Sequence, residues 1–208
     1  MHSFRHAYLL LMFVLLPLGV AAQTSSSNAA KAKELFTKVY DSVFGPQGST
    51  LQYHVNIIGI YKTSGTIIYK GKKMRFEEER FSSWQDGTTA WMVDKKKKSI
   101  RIFRADDDSK DKYMSKFKYD VNTFEYSYKT EGDYYIVTVK IPDAPYFSIR
   151  WVEAKIRKSD YVPVSLGIKL AFMHTTVKIS NFRSGGIADS NFVFPADRFK
   201  DYTIEDNR

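Results

Sequence analysis

What most constrains this chain is its run of short, alternating apolar segments, each closed within a few residues by a turn signal. They begin after one helical stripe and continue to the C-terminus. Strand-like runs fall at residues 51–62, 65–70, 72–79, 88–93, 99–104, 123–130, 134–141, 147–157, 162–172, 175–182 and 191–194. The breaks carry turn chemistry: Thr63-Ser64, Gly71, Asp86-Gly87, Glu131-Gly132-Asp133, Ser159-Asp160 and Gly185-Gly186. Period-two runs at this spacing, mostly joined as hairpins, predict an up-and-down antiparallel sheet. Before them, Ala32, Leu35, Phe36, Val39, Tyr40 and Val43 form the stripe of one amphipathic helix over residues 29–44. Asn28 is placed to cap that helix, and Gly45-Pro46 to end it. Residues 105–119 interrupt the strands. Their acidic start suits a helix N-terminus, and Tyr113, Met114 and Phe117 would share one face, giving a short cap on the sheet or else a charged loop. The fold class is mainly β, with α elements added (α+β).

The 208 residues hold one core comfortably, and 43% hydrophobic with 15% aromatic residues is a globular composition. Residues 1–22 read as a cleavable signal peptide: Arg5 precedes an apolar stretch, and Val20 and Ala22 fit the small-residue cleavage rule. That stretch is shorter than the roughly 20 residues a membrane span needs. Residues 23–28 make a polar lead-in, and residues 29–208 a single domain. The mature chain is therefore expected to be secreted or periplasmic. Cysteine is absent, which removes disulfides, thiolate nucleophiles, cysteine zinc sites and a lipid-bearing cysteine. Residues 149–157 (IRWVEAKIR) carry charge on both faces of a strand, which argues against an outer-membrane barrel.

Motifs for chemistry are missing. Beyond the signal segment the histidines are His54 and His174, each inside a strand and far apart, with no metal-ligand spacing. No nucleophile elbow, dinucleotide fingerprint or phosphate loop occurs. Asp106-Asp107-Asp108 fails the calcium-loop pattern, because Phe117 stands where the bidentate glutamate belongs. Glu77-Glu78-Glu79 alternates across a strand, so at most two of its carboxylates share a face. The chain is expected to be no enzyme and to need no cofactor or metal. An enzyme would have to use His54, His174 or Glu77. The formal charge is +9, and Lys95, Lys96, Lys97 and Lys98 form its densest run, a hairpin tip suited to phospholipid headgroups or an acidic partner. Nucleic acid is not expected, because the aromatics alternate as sheet residues and form no RNA-binding motif.

Four segments carry a family resemblance. Residues 65–77 (GTIIYKGKKMRFE) resemble a strand, turn and strand with a K-x-F-R-W-E pattern, and residues 85–94 (QDGTTAWMVD) a DG-K-T-L-W-x-Y-D hairpin. Residues 155–168 (KIRKSDYVPVSLGI) look like a strand, a proline turn and a returning strand, and residues 193–208 (VFPADRFKDYTIEDNR) like an F-x-P-x-G-V-x-V-D-D-Q-R ending. Together they resemble the periplasmic outer-membrane lipoprotein carriers (LolA-like) over about residues 29–208. The resemblance implies an incomplete antiparallel β-barrel, or half-barrel, with an N-terminal helix and a short helical lid enclosing a hydrophobic cavity. It also implies a monomer that takes acylated lipoproteins or related lipids from an inner-membrane lipoprotein-releasing transporter and delivers them to an outer-membrane receptor. A lipid- or lipoprotein-sensing module on the same fold is the alternative. The family's K-R-P turn is Lys70-Gly71-Lys72 here, so its lid-holding arginine has no counterpart, and the lid segment is shorter and more charged.

An acyl chain of roughly 15 methylenes exposes about 12 kcal/mol of unfavourable surface to water. A carrier site therefore needs a broad apolar face with few polar anchors. By alternation Ile68, Met74 and Phe76 are expected to share that face. Trp91 and Val93 are expected there as a second pair, with Leu35, Phe36 and Val39 from the helix.

Overall fold

A computed structural model describes residues 16–57, 61–105, 123–142, 149–170 and 173–208. Helix α1 (Leu16–Phe44) leads into β1 (Ser49–Ile57), β2 (Tyr61–Lys70), β3 (Lys73–Glu78), β4 (Phe81–Gln85), β5 (Thr89–Asp94) and β6 (Ser99–Arg104). After them come β7 (Glu125–Glu131), β8 (Tyr134–Lys140), β9 (Ile149–Arg157), β10 (Pro163–Leu170), β11 (Met173–Ser184) and the short β12 (Thr203–Asp206). All twelve join one sheet in the order β12-β6-β5-β4-β3-β2-β1-β11-β10-β9-β8-β7. The edge strands β12 and β7 do not pair with each other, so the sheet stays open as a half-barrel, as expected.

The order corrects a simple succession of strands. β1 lies in the middle, antiparallel to both β2 and β11, so two meanders of neighbouring hairpins meet along β1 and β11. Local turn signals predict neighbours within each meander, whereas the seam joins segments more than a hundred residues apart. β12 runs parallel to β6, the one departure from an antiparallel sheet among the described strands. Phe81–Gln85, which falls between the predicted runs at 72–79 and 88–93, is strand β4 between β3 and β5. Thr63 and Ser64 lie inside β2 and not at a turn. Residues 191–194 form no strand; Asp189–Phe192 and Ala196–Phe199 are single 3₁₀ turns of a C-terminal strap.

Helix α1 begins at Leu16, well before the predicted 29. Asn28 therefore sits inside the helix rather than capping it. Its side-chain amide donates to the Tyr128 carbonyl at 2.9 Å and accepts from the Tyr128 N–H at 3.0 Å. That pair of bonds takes the place of a neighbouring strand at one position of the β7 edge. No described helix is long and apolar enough to cross a membrane. The expected signal segment before Leu16, and the expected lid from residue 106 to 119, lie outside the described residues.

Candidate functional site: the helix-bearing face of the sheet

Side chains on a strand alternate between faces, and directly paired residues share one. The register therefore sorts every strand. One face carries Tyr128, Val137, Ala154, Leu166, Val177 and Val55 in a single row across β7, β8, β9, β10, β11 and β1. A second row on that face runs Leu51, Ile67, Phe76, Ser83 and Met92 from β1 to β5. The opposite face carries Lys155, Ser165, Lys178, His54 and Ser64 at the corresponding positions of β9, β10, β11, β1 and β2.

Helix α1 lies on the apolar face. Ala32 and Leu35 are buried against Val137 and Ile156, with Phe36, Val39, Tyr126, Tyr128 and Tyr135 packed around them. The Phe36 and Tyr126 rings stand 5.7 Å apart. At the other end of the helix, Phe44 meets Tyr69 of β2 edge-on at 4.7 Å, and the Ser49 hydroxyl donates to the Val43 carbonyl at 2.7 Å. Residues 28–44 of the helix span about 24 Å, which matches the roughly 24 Å of five strand spacings between β7 and β1. The helix is thus pinned along β7–β9 and again at β1–β2. Between the pins Val152, Leu166, Ile168, Val177 and Ile179 are only half-buried, as are Ile67, Met74, Phe76 and Met92 farther along the face. A broad apolar strip is left incompletely covered.

A buried carboxylate lies within this face. Tyr53, Gly65 and Glu78 are cross-strand neighbours, and the Tyr53 hydroxyl donates to the buried Glu78 carboxylate across the position where Gly65 has no side chain. A Cβ at Gly65 would lie 2.8 Å from the Tyr53 hydroxyl and 2.6 Å from the Glu77 carbonyl, so the row needs glycine. The mid-strand glycine was its one sequence signal. Lys95 reaches back to donate to the Glu78 carbonyl at 2.5 Å.

The structure brings together Leu35, Phe36 and Val39 on the helix, and Met74 and Phe76 on the apolar face, where Phe76 stacks on Tyr53. It separates the others. Ile68 pairs with Arg75 and lies on the opposite face. The reason is the tight β2–β3 hairpin, which pairs Ile67 with Phe76, so even-numbered residues of one strand face odd-numbered residues of the next. Trp91 and Val93 also lie opposite. β4 intervenes and puts Met92 in the Phe76 row instead. There Trp84, Val93 and Ile100 form a second core beneath the strap, with Phe199 over them and Trp91 stacked on Phe194 at 5.3 Å. Lys70 and Lys73 of the β2–β3 hairpin fasten the strap through Asp189, at 2.8 and 3.2 Å, and hold its carboxyl below the usual range.

His54, His174 and Glu77 all lie on the face away from the helix. His54 is hydrogen-bonded to Ser64 at 2.8 Å, His174 leans on Trp151 at 5.0 Å, and Glu77 pairs with Arg75 at 2.5 Å. None of them faces the apolar strip. No group of three metal-ligating side chains occurs among the described residues. In the lysine run, Lys98 pairs with Asp201 at 2.5 Å and Lys95 is drawn to Glu78, so Lys96 and Lys97 are the ones left projecting.

The molecule is thus an open antiparallel sheet with one helix bridging an apolar face and a C-terminal strap closing a second core behind it. The same fold occurs in an uncharacterized conserved protein from Thermus thermophilus, at a TM-score of 0.56 and 10% identity over 85% of this chain and 99% of that one. A LolA superfamily protein from Nitrosomonas europaea superposes more loosely, at a TM-score of 0.42 and 8% identity over 79% of this chain and 98% of that one. An outer membrane lipoprotein-sorting protein domain from Vibrio parahaemolyticus does so at 0.44 and 10% identity, over 83% and 100%. No family model and no curated protein matches the sequence.

Proposed function

We propose that this chain is a non-enzymatic, cofactor-free periplasmic carrier that holds the acyl chains of lipoproteins or related lipids on the helix-bearing face. In this reading it takes them from an inner-membrane transporter and delivers them to an outer-membrane receptor. The observation that carries the proposal is the strip of half-buried Leu166, Ile168, Val177, Ile67, Met74 and Phe76 beside a helix that packs on the β7–β9 side and again on β1–β2. Apolar side chains left partly in water along one continuous face favour a hydrocarbon ligand, at about 0.8 kcal/mol for each methylene buried. Methionines at 74 and 92 suit chains of differing length, because an unbranched thioether repacks easily.

The test is release of lipoproteins from inner-membrane spheroplasts. The purified chain should bring acylated lipoproteins into a soluble one-to-one complex, and Phe76→Glu or Ile168→Glu variants with unchanged circular dichroism should not. Co-purified lipid identified by mass spectrometry without release would favour the sensing module. A chain that neither releases lipoprotein nor retains lipid would overturn the acyl-binding face itself.

A further inference from the structure

The charge excess of the chain has a location that the lysine run at 95–98 does not explain. On the face away from the helix, β9 to β2 present a sheet surface in which paired residues form continuous polar rows. One row is Lys140, Trp151, Lys169 and His174. The next but one is Lys155, Ser165, Lys178, His54 and Ser64, and Lys62 lies beyond it on β2, opposite Asn56. Toward the β7 edge the charges cancel: Lys129 pairs with Glu131 at 2.8 Å and Lys140 with Glu125 at 3.8 Å. Among the described residues in the interior of the surface, Lys62, Lys155, Lys169 and Lys178 outnumber the carboxylates: Glu153 occupies the row between them, and Glu131 of β7 interacts with Lys155. Lys62, Lys178 and His174 are exposed, and Trp151 is half-buried. The helix lies on the other face, and the strap lies over β3–β6 and, among the described residues, meets β2 only at Lys70, at the end of that strand away from Lys62.

We infer that this face docks the protein, by charge, onto the anionic phospholipid surface of a membrane. A plane of well-spaced lysines with a tryptophan among them matches a headgroup layer, where each ammonium meets a phosphate and the indole settles at the interface. A nucleic acid would instead be tracked by a groove with stacked aromatics, and this surface has one tryptophan already leaning on a histidine. Docking here leaves the apolar face turned away from the bilayer plane, so the two surfaces act separately. The inference does not depend on what the apolar face carries.

The experiment is co-sedimentation of the full chain with vesicles of phosphatidylcholine alone and with added phosphatidylglycerol, at low and at physiological salt. Binding should appear with the anionic vesicles, weaken with salt, and be much lower on the neutral ones. A Lys155→Glu/Lys169→Glu/Lys178→Glu variant should bind roughly a hundredfold more weakly, since each lysine near such a surface is worth about fivefold. A Lys96→Glu/Lys97→Glu variant carries a comparable reversal elsewhere and should bind nearly as the parent does. Circular dichroism and uptake of a fluorescent fatty acid, both unchanged in the triple variant, would show that fold and apolar face are intact. Equal binding to neutral vesicles, loss of binding at 96 and 97 instead, or tight binding to an oligonucleotide with none to vesicles would each overturn the inference.

Discussion

Single residues set the shape of the apolar face. Gly65 is there because Tyr53 and Glu78 meet across it. Gly65→Ala should lower stability by about 1–3 kcal/mol, read from urea midpoints, because the three atoms its Cβ would meet are a backbone carbonyl and two buried side-chain atoms. A variant as stable as the parent would show that the row relaxes. Tyr69 behaves differently. Burial beneath Phe44 pushes its hydroxyl up to about 12, while the same group in the unfolded chain ionises near 10. The folded state thus keeps a proton that the unfolded state releases. Its contribution is complete below about pH 10 and is lost as pH rises through about 12. Tyr69→Phe should flatten the alkaline limb of the stability profile, and parallel profiles for parent and variant would contradict that assignment.

At the scale of elements, the helix and the strap each close one side of the sheet. Leu35 is 1% exposed at the centre of the helix contact, so Leu35→Ala should cost about 2–5 kcal/mol in chemical denaturation. Phe199 plays the same part for the strap, lying against Trp84 at 5.8 Å with Phe194 beside it. Its replacement by alanine should cost about 3–5 kcal/mol and change tryptophan fluorescence, since Trp84 and Trp91 lose their cover. Asn28 acts on the edge of β7. In Asn28→Ala the Tyr128 N–H and carbonyl lose their partner, and amide exchange at Tyr128 should quicken while the centre of the sheet is unaffected. These elements show where sequence reading succeeds and where it stops. The stripe of Ala32, Leu35, Phe36 and Val39 was legible because period and burial coincide. Phe81–Gln85 was missed because its two apolar residues, Phe81 and Trp84, are three apart and break the period-two pattern on a strand only five residues long. The strap was misread as a strand because Phe192, Phe194 and Phe199 bury their rings without a strand's backbone pairing.

At the scale of the whole molecule, the sheet separates two chemistries. One face is apolar and bridged by the helix, and the other is basic over β9–β2 and carries an aromatic-rich core beneath the strap. The sequence by itself determined that the chain is mainly β with one amphipathic helix ahead of the strands, since periodicity and turn residues act over a few neighbours. It also placed Met74 and Phe76 together, because residues two apart on one strand must share a face. Only the tertiary structure decided which residues of different strands face the same way. Ile68, Trp91 and Val93 fell to the opposite side because hairpin register, and the presence of β4, change the face by one residue at a time. Only the fold, too, could bring β1 against β11 and gather Lys155, Lys169, Lys178 and Lys62 on one surface. Such pairings are selected by the total area buried when the sheet forms, a quantity that no local stretch of the chain contains.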